Sequence, residues 1–140
     1  MLVVDDDPLF RTLCKASLEP EAEVTVAADG HNAVSFAIAK TPTAMVLDGT
    51  MPGWDGSQVL RAIRADASLD AMPVLMLTSS ETPEQIAALK GAGADGFLAK
   101  ADFTRESLRA MVSTLQPSRE RAPRHEVRRV VPVNAFGEPA

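Results

Sequence analysis

The chain is expected to fold as an α/β protein, a doubly wound parallel sheet of five strands covered by helices on both faces. Three observations point there. The runs Leu2-Val3-Val4, Ala44-Met45-Val46-Leu47 and Val74-Leu75-Met76-Leu77 are continuously apolar rather than alternating, as strands buried on both faces are. Segments of helical period lie between them, so strands and helices alternate. Several strand runs end in polar residues: Asp5-Asp6-Asp7, Asp48, Thr78 and Lys100. In an open parallel sheet, groups at the carboxyl ends of strands converge on one crevice.

The elements follow in order. Leu2–Val4 is strand one, and Asp7-Pro8 starts a helix, with Asp as N-cap and Pro at the first helical position. Leu9, Phe10, Leu13, Cys14 and Leu18 are expected to form its apolar face. Val24–Ala27 is strand two, and Asp29-Gly30 turns into a helix whose face is Ala33, Val34, Ala37 and Ile38. Thr41-Pro42 stops that helix, and Ala44–Leu47 is strand three. A loop rich in Gly and Pro, Gly49 to Gly56, precedes a third helix marked by Val59, Leu60 and Ile63. Val74–Leu77 is strand four, and Thr82-Pro83-Glu84-Gln85 reads as a capping box. The helix it opens carries Ile86 and Leu89 and ends at Gly91 and Gly93. Phe97-Leu98 lies in strand five, Leu108, Met111, Val112 and Leu115 mark helix five, and Pro117 closes it.

Charge divides the chain in two. Residues 1–116 hold 9 Lys and Arg against 16 Asp and Glu, a net −7, whereas residues 117–140 hold 5 Arg against 3 Glu, a net +2. The first segment is expected to be one domain and the second an extension with little structure when free, since Pro117, Pro123, Pro132 and Pro139 interrupt any long helix. Cys14 is alone, which rules out an internal disulfide and suits a cytoplasmic thiol. No signal peptide is read at the start, and no apolar run approaches the ~20 residues of a membrane span. His31 and His125 are too isolated to form a metal site.

Carboxylates, a hydroxyl and an ammonium gathered at strand tips can hold a divalent cation and move a phosphoryl group. Phosphoryl transfer asks mainly for positioning and charge neutralisation. A hard cation with oxygen ligands suits the carboxylates, which would otherwise repel one another and resist ionising. Lys100 supplies a point charge for phosphoryl oxygens.

Val4-Asp5-Asp6, Leu47-Asp48, Met51-Pro52-Gly53-Trp54-Asp55-Gly56, Leu77-Thr78-Ser79 and Gly93-Ala94-Asp95-Gly96-Phe97-Leu98-Ala99-Lys100 keep the order found in one family. On these motifs residues 1–116 resemble a CheY-like response-regulator receiver domain. The resemblance implies that Asp48 accepts phosphate from a histidine kinase. It implies that Mg²⁺ sits among Asp5, Asp6, Asp48 and the backbone carbonyl of Thr50. It implies that Thr78 shifts toward the phosphoryl group while Phe97 turns inward. Activity as an enzyme is not expected beyond Mg²⁺-dependent self-phosphorylation and dephosphorylation at Asp48. The family usually has Pro after the lysine, where this chain has Ala101. A cis bond before a non-proline residue costs roughly 3 kcal/mol, so Lys100–Ala101 is expected to be trans. Asp7 is read as a helix cap only, and Trp54 as a cover for the loop beside the site.

The extension has its own signal. Arg119, Arg121, Arg124, Arg128 and Arg129 fall within eleven residues and no lysine joins them. Guanidinium forms planar forks and stacks on π faces; it takes guanine O6 and N7 together and pairs bidentately with phosphate. Arg124 and Arg128 form an Arg-x-x-x-Arg element similar to the one that opens PilZ-type cyclic-di-GMP sites. A receiver with such a tail resembles the Cle group of CheY-like cyclic-di-GMP effectors. That resemblance implies a tail that binds cyclic di-GMP, with Asn134 as a further base-edge candidate, and action at the flagellar motor through its switch protein.

Three other readings compete. The tail is an inert linker to a missing effector, and the protein is a phosphorelay receiver alone. The arginines bind nucleic acid, which the −7 of the body opposes by repelling phosphates; no DNA and no membrane partner is expected. Leu47-Asp48-Gly49-Thr50 superficially resembles the first motif of haloacid-dehalogenase-like phosphatases, but Val46 stands where that motif needs an Asp.

Overall fold

The computed structural model describes residues 1–117. Five strands, β1 (Leu2–Val4), β2 (Thr25–Ala27), β3 (Met45–Asp48), β4 (Val74–Thr78) and β5 (Gly96–Ala99), alternate with five helices, α1 (Pro8–Leu18), α2 (Gly30–Lys40), α3 (Gly56–Arg64), α4 (Pro83–Gly91) and α5 (Arg105–Ser113). The sheet is wholly parallel in the order β2-β1-β3-β4-β5. The strand order reverses between β1 and β3, so a crevice opens there outside their carboxyl ends.

Strand periodicity sorts the apolar runs into two cores. Leu2, Val4, Met45, Leu47, Val74 and Met76 point to one face, where Ala33, Ala37, Val59, Leu60, Ile63 and Leu89 of α2, α3 and α4 cover them. Val3, Val46, Leu75, Leu77 and Leu98 point to the other, against Cys14 and Leu18 of α1 and Leu108 of α5. Burying each Val, Leu, Ile and Met among them contributes roughly 1.5–3 kcal/mol.

Caps fix the helix starts. Asp7 accepts from the Leu9 amide at 2.9 Å, and the capping box of Thr82 and Gln85 forms as expected. Asp55 with Gln58 and Thr104 with Ser107 form two more boxes. Single turns of 3-10 helix at Ala67–Leu69 and Lys100–Asp102 were not among the elements expected.

Three expectations are corrected. In α1, Leu9 and Leu13 are 62% and 40% exposed, because the turn they lie on faces outward while Cys14, Ser17 and Leu18 face the sheet. In α2, Ile38 is 48% exposed, since Ala33 and Ala37 make the close approach to the sheet. Strand two starts at Thr25, with Val24 buried just before it. The extension, with Arg119, Arg121, Arg124, Arg128, Arg129 and Asn134, lies outside the described residues. No described helix is long and apolar enough to cross a membrane.

Candidate functional site

Asp5 and Asp6 leave the end of β1, and Asp48 ends β3, on the two sides of the crevice. One carboxylate oxygen from each of Asp5, Asp6 and Asp48 lies within 4.8 Å of the others. Asp5 and Asp48 are buried, 0% and 1% exposed, while Asp6 faces solvent. Backbone groups hold the two buried acids: the Asp7 amide donates to Asp5 Oδ1 at 2.9 Å, and the Thr50 amide donates to Asp48 Oδ1 at 3.2 Å. Arg11 Nη1 donates to the Asp5 carbonyl at 2.9 Å, tying α1 to the end of β1.

Lys100 reaches in from the end of β5. Its Nζ lies 2.9 Å from Asp5 Oδ2 and 3.4 Å from Asp48 Oδ2. Lys100–Ala101 is trans, as expected; among the described residues the cis bond is Glu19–Pro20. With alanine after it, the lysine still reaches both carboxylates. Burial works against its charge, but the hydrogen bond to Asp5 and the charges of Asp48 and Asp5 outweigh it and raise its pKa.

Burial pushes the Asp48 carboxyl up to about 7, and the Asp5 charge adds to that; the Thr50 amide and the Lys100 ammonium pull the other way. Apart from the Lys100 ammonium, Asp5 Oδ2 has no hydrogen-bond partner. Two buried acids and a third at the rim exceed the charge that one ammonium can balance, and their oxygens cluster at the spacing of a shared cation. The donor set therefore fits Mg²⁺, a hard ion that keeps several waters and takes a few carboxylates.

Thr78 ends β4 at 8% exposure, one residue beyond Leu77, the register partner of Asp48. Phe97 lies in β5 opposite Met76, half-buried against the larger core cluster. Trp54 leans on the start of α2. Its ring meets His31 edge-on with centroids 6.3 Å apart, and a Cβ on Gly30 would come 2.7 Å from Trp54 Cβ. Gly56 lets α3 begin directly beneath the site, since a Cβ there would meet the Asp48 carbonyl at 2.8 Å.

Two groups were not anticipated. Glu81, after β4, accepts from the Ser79 amide at 2.6 Å and from Thr50 Oγ1 at 2.9 Å, and so joins the loops that follow β3 and β4. A Cβ on Gly49 would collide with Glu81 Oε2. Beside this link a cleft of about 230 Å³ is lined by Gly49, Thr50, Asp55, Ser57, Glu81 and Gln85. Arg64 is buried away from the site. It donates to the carbonyls of Gly93 and Leu69 at 2.9 and 2.8 Å and to Asp95 at 3.1 Å. Sequence spacing carries no sign of either, because each joins segments 31 residues apart.

With this arrangement in place, comparison with known proteins identifies the family. The model of the response regulator receiver domain matches residues 1–113. The chain belongs to the response regulator receiver domain family. Such domains act in two-component systems as phosphoacceptors, bind Mg²⁺ at an acidic site, and have a flavodoxin-like fold with five parallel strands and five helices. Response regulator MprA of Mycolicibacterium vanbaalenii is 35% identical over 141 residues, covering all of this chain and 55% of that protein. MprA of Mycobacterium avium is 37% identical over 116 residues, 82% of this chain and 50% of that protein. The chain thus spans about half the length of the curated relatives it matches. Chemotaxis protein CheY4 of Vibrio cholerae superposes with a TM-score of 0.75 at 32% identity, over 80% of this chain and 93% of that chain. The receiver domain of sensor histidine kinase PA1611 from Pseudomonas aeruginosa, solved with magnesium in its active site cleft, superposes at 0.71 with 32% identity, over 78% and 89% of the two chains.

Proposed function

We propose that this receiver accepts a phosphoryl group on Asp48 from a histidine kinase and signals through protein contacts. The reading rests on one observation: Asp5, Asp6 and Asp48 gather their oxygens within 4.8 Å at the sheet's switch point, with Lys100 reaching two of the three. Asp48 attacks the phosphorus, and the bond to the donor breaks as the Asp48–phosphorus bond forms. Asp5, Asp6, Asp48 and the Thr50 carbonyl would hold Mg²⁺, which would supply positive charge for the phosphoryl oxygens. Lys100 balances charge on the same oxygens, and Thr78 donates a hydrogen bond to one of them. Phe97 is the side chain that reports the change to the surface. Acetyl phosphate with Mg²⁺ should label the wild type and leave Asp48→Asn unlabelled; label retained by the variant would refute the acceptor.

For residues 117–140 we infer a cyclic-di-GMP site built from Arg119, Arg121, Arg124, Arg128 and Arg129, with Asn134 at a base edge and output at the flagellar motor. Its support is the run of five arginines without a lysine. A second reading, a linker toward an effector, is favoured by the match to an MprA that covers this whole chain and only 55% of that protein. Calorimetry of the full chain with cyclic di-GMP separates them. Binding that is lost in Arg124→Ala/Arg128→Ala supports the site; no heat, or heat unchanged in the variant, supports the linker.

A further inference from the structure

The Lys100 side chain carries four rotatable bonds and a strongly hydrated ammonium. Its backbone lies in the 3-10 turn Lys100–Asp102, which has no side-chain cap. Asp5 and Asp48 both draw the ammonium, and Asp5 is the nearer. Attraction alone would let it collapse on Asp5 or swing to water. The ring of Phe10, in the first turn of α1, meets it from another direction, with Nζ 4.5 Å from the ring centroid.

Phe10 is not there to fill the core. It belongs to neither core cluster and is not among the side chains packed against them, and the buried residues of α1 are Cys14, Ser17 and Leu18. Its ring meets Phe103 edge-on, with centroids 5.3 Å apart and planes at 72°. Phe103 does pack on the core cluster beneath α1 and α5, and its amide donates to the Lys100 carbonyl at 3.1 Å. Phe103 therefore braces the ring and closes the turn that carries the lysine.

We propose that Phe10 is a positioning residue for Lys100: its π face, braced by Phe103, holds the ammonium at the height where it serves Asp5 and Asp48 together. A cation over a ring face is attracted by the ring quadrupole. The apolar ring also keeps water from that side, which strengthens the ion pairs in the crevice. The lysine side chain is 17% exposed. This rests on the phosphoacceptor reading for its effect on rate, while the contact itself can be tested without it.

Fluorination separates the ring's electrostatics from its shape. Replacing Phe10 in the full chain by 4-fluoro-, 3,5-difluoro- and 3,4,5-trifluorophenylalanine drains charge from the face and barely alters packing. Labelling of Asp48 by acetyl phosphate should slow stepwise, by roughly three- to tenfold across the series. A flat series overturns the proposal, even where Phe10→Leu is slow, because packing alone would explain that. The second readout is the ring-current shift of the Lys100 Cε protons by NMR. It should be upfield in the wild type, persist in Phe10→Tyr and vanish in Phe10→Leu. An unchanged shift in Phe10→Leu overturns the contact. A wild type that takes no label would refute the Asp48 reading instead, and the NMR arm would then decide the contact.

Discussion

Lys100 stands closer to Asp5 than to Asp48, 2.9 Å against 3.4 Å. The acid proposed to take the phosphoryl group is thus left with the weaker of the two ion pairs, and its neighbour absorbs most of the ammonium. Burial, with the Asp5 charge beside it, holds the Asp48 carboxyl well above its ordinary value of 3.8, and the Thr50 amide and the more distant ammonium offset this only in part.

Stability should follow this with a definite sign. Between about pH 4 and pH 7 folded Asp48 keeps a proton that the unfolded chain has released, so this group's contribution falls as pH rises and is lost by about 7. Asp48→Asn removes the effect. Without metal, the variant should unfold later than wild type at pH 8, by up to about 4 kcal/mol, with the gap closing toward pH 4. Urea unfolding at both pH values checks it; a gap that does not depend on pH would place the cause elsewhere.

Magnesium should supply the missing charge. At a hundred times its dissociation constant it should stabilise the fold by about 2.7 kcal/mol. Asp6 is exposed, so Asp6→Asn should change metal-free stability by no more than about 0.5 kcal/mol while weakening the response to Mg²⁺. Thermal melts across a Mg²⁺ series would show this, and an undiminished response would remove Asp6 from the ligand set.

The Arg64 guanidinium closes the far side of the domain by joining α3 to the turn before β5. Arg64→Met leaves the Gly93 and Leu69 carbonyls and Asp95 without these donors. The expected loss is about 3 kcal/mol of folding stability, with labelling of Asp48 intact below the melting temperature. A variant as stable as wild type would mean that neighbouring groups replace the lost bonds.

Glu81 places a carboxylate beside the mouth of the site. Glu81→Ala frees Thr50 Oγ1 and the Ser79 amide and removes a negative charge from the path of a phosphoryl dianion. Labelling by acetyl phosphate should quicken by about threefold at low salt, and the gain should shrink as salt rises. A gain that ignores ionic strength would assign the effect to loop release rather than charge.

Much of the candidate site was readable along the chain because four of the five strands, β1, β3, β4 and β5, are short apolar runs that stop at a polar residue. Asp5, Asp6, Asp48, Thr78 and Lys100 are all such stops. Helix faces were read less well. Leu9 and Leu13 keep the same spacing as Cys14, but period alone does not say which edge of an apolar stripe meets the sheet. Glu81 with Thr50, Arg64 with Asp95 and Phe10 with Lys100 left no mark in local pattern, since each pair joins segments at least 31 residues apart and forms only when the layers close.

The succession of strands and helices and the donor types at the strand ends were thus inherent in the amino acids, since apolar runs and strand-end polarity act locally. Which carboxylate takes the ammonium, how far Asp48 resists ionising, and which ring braces the lysine were decided only on folding. The energy of a charge depends on its distance to others and on its burial, and no stretch of this chain has either until the sheet and its helices are assembled.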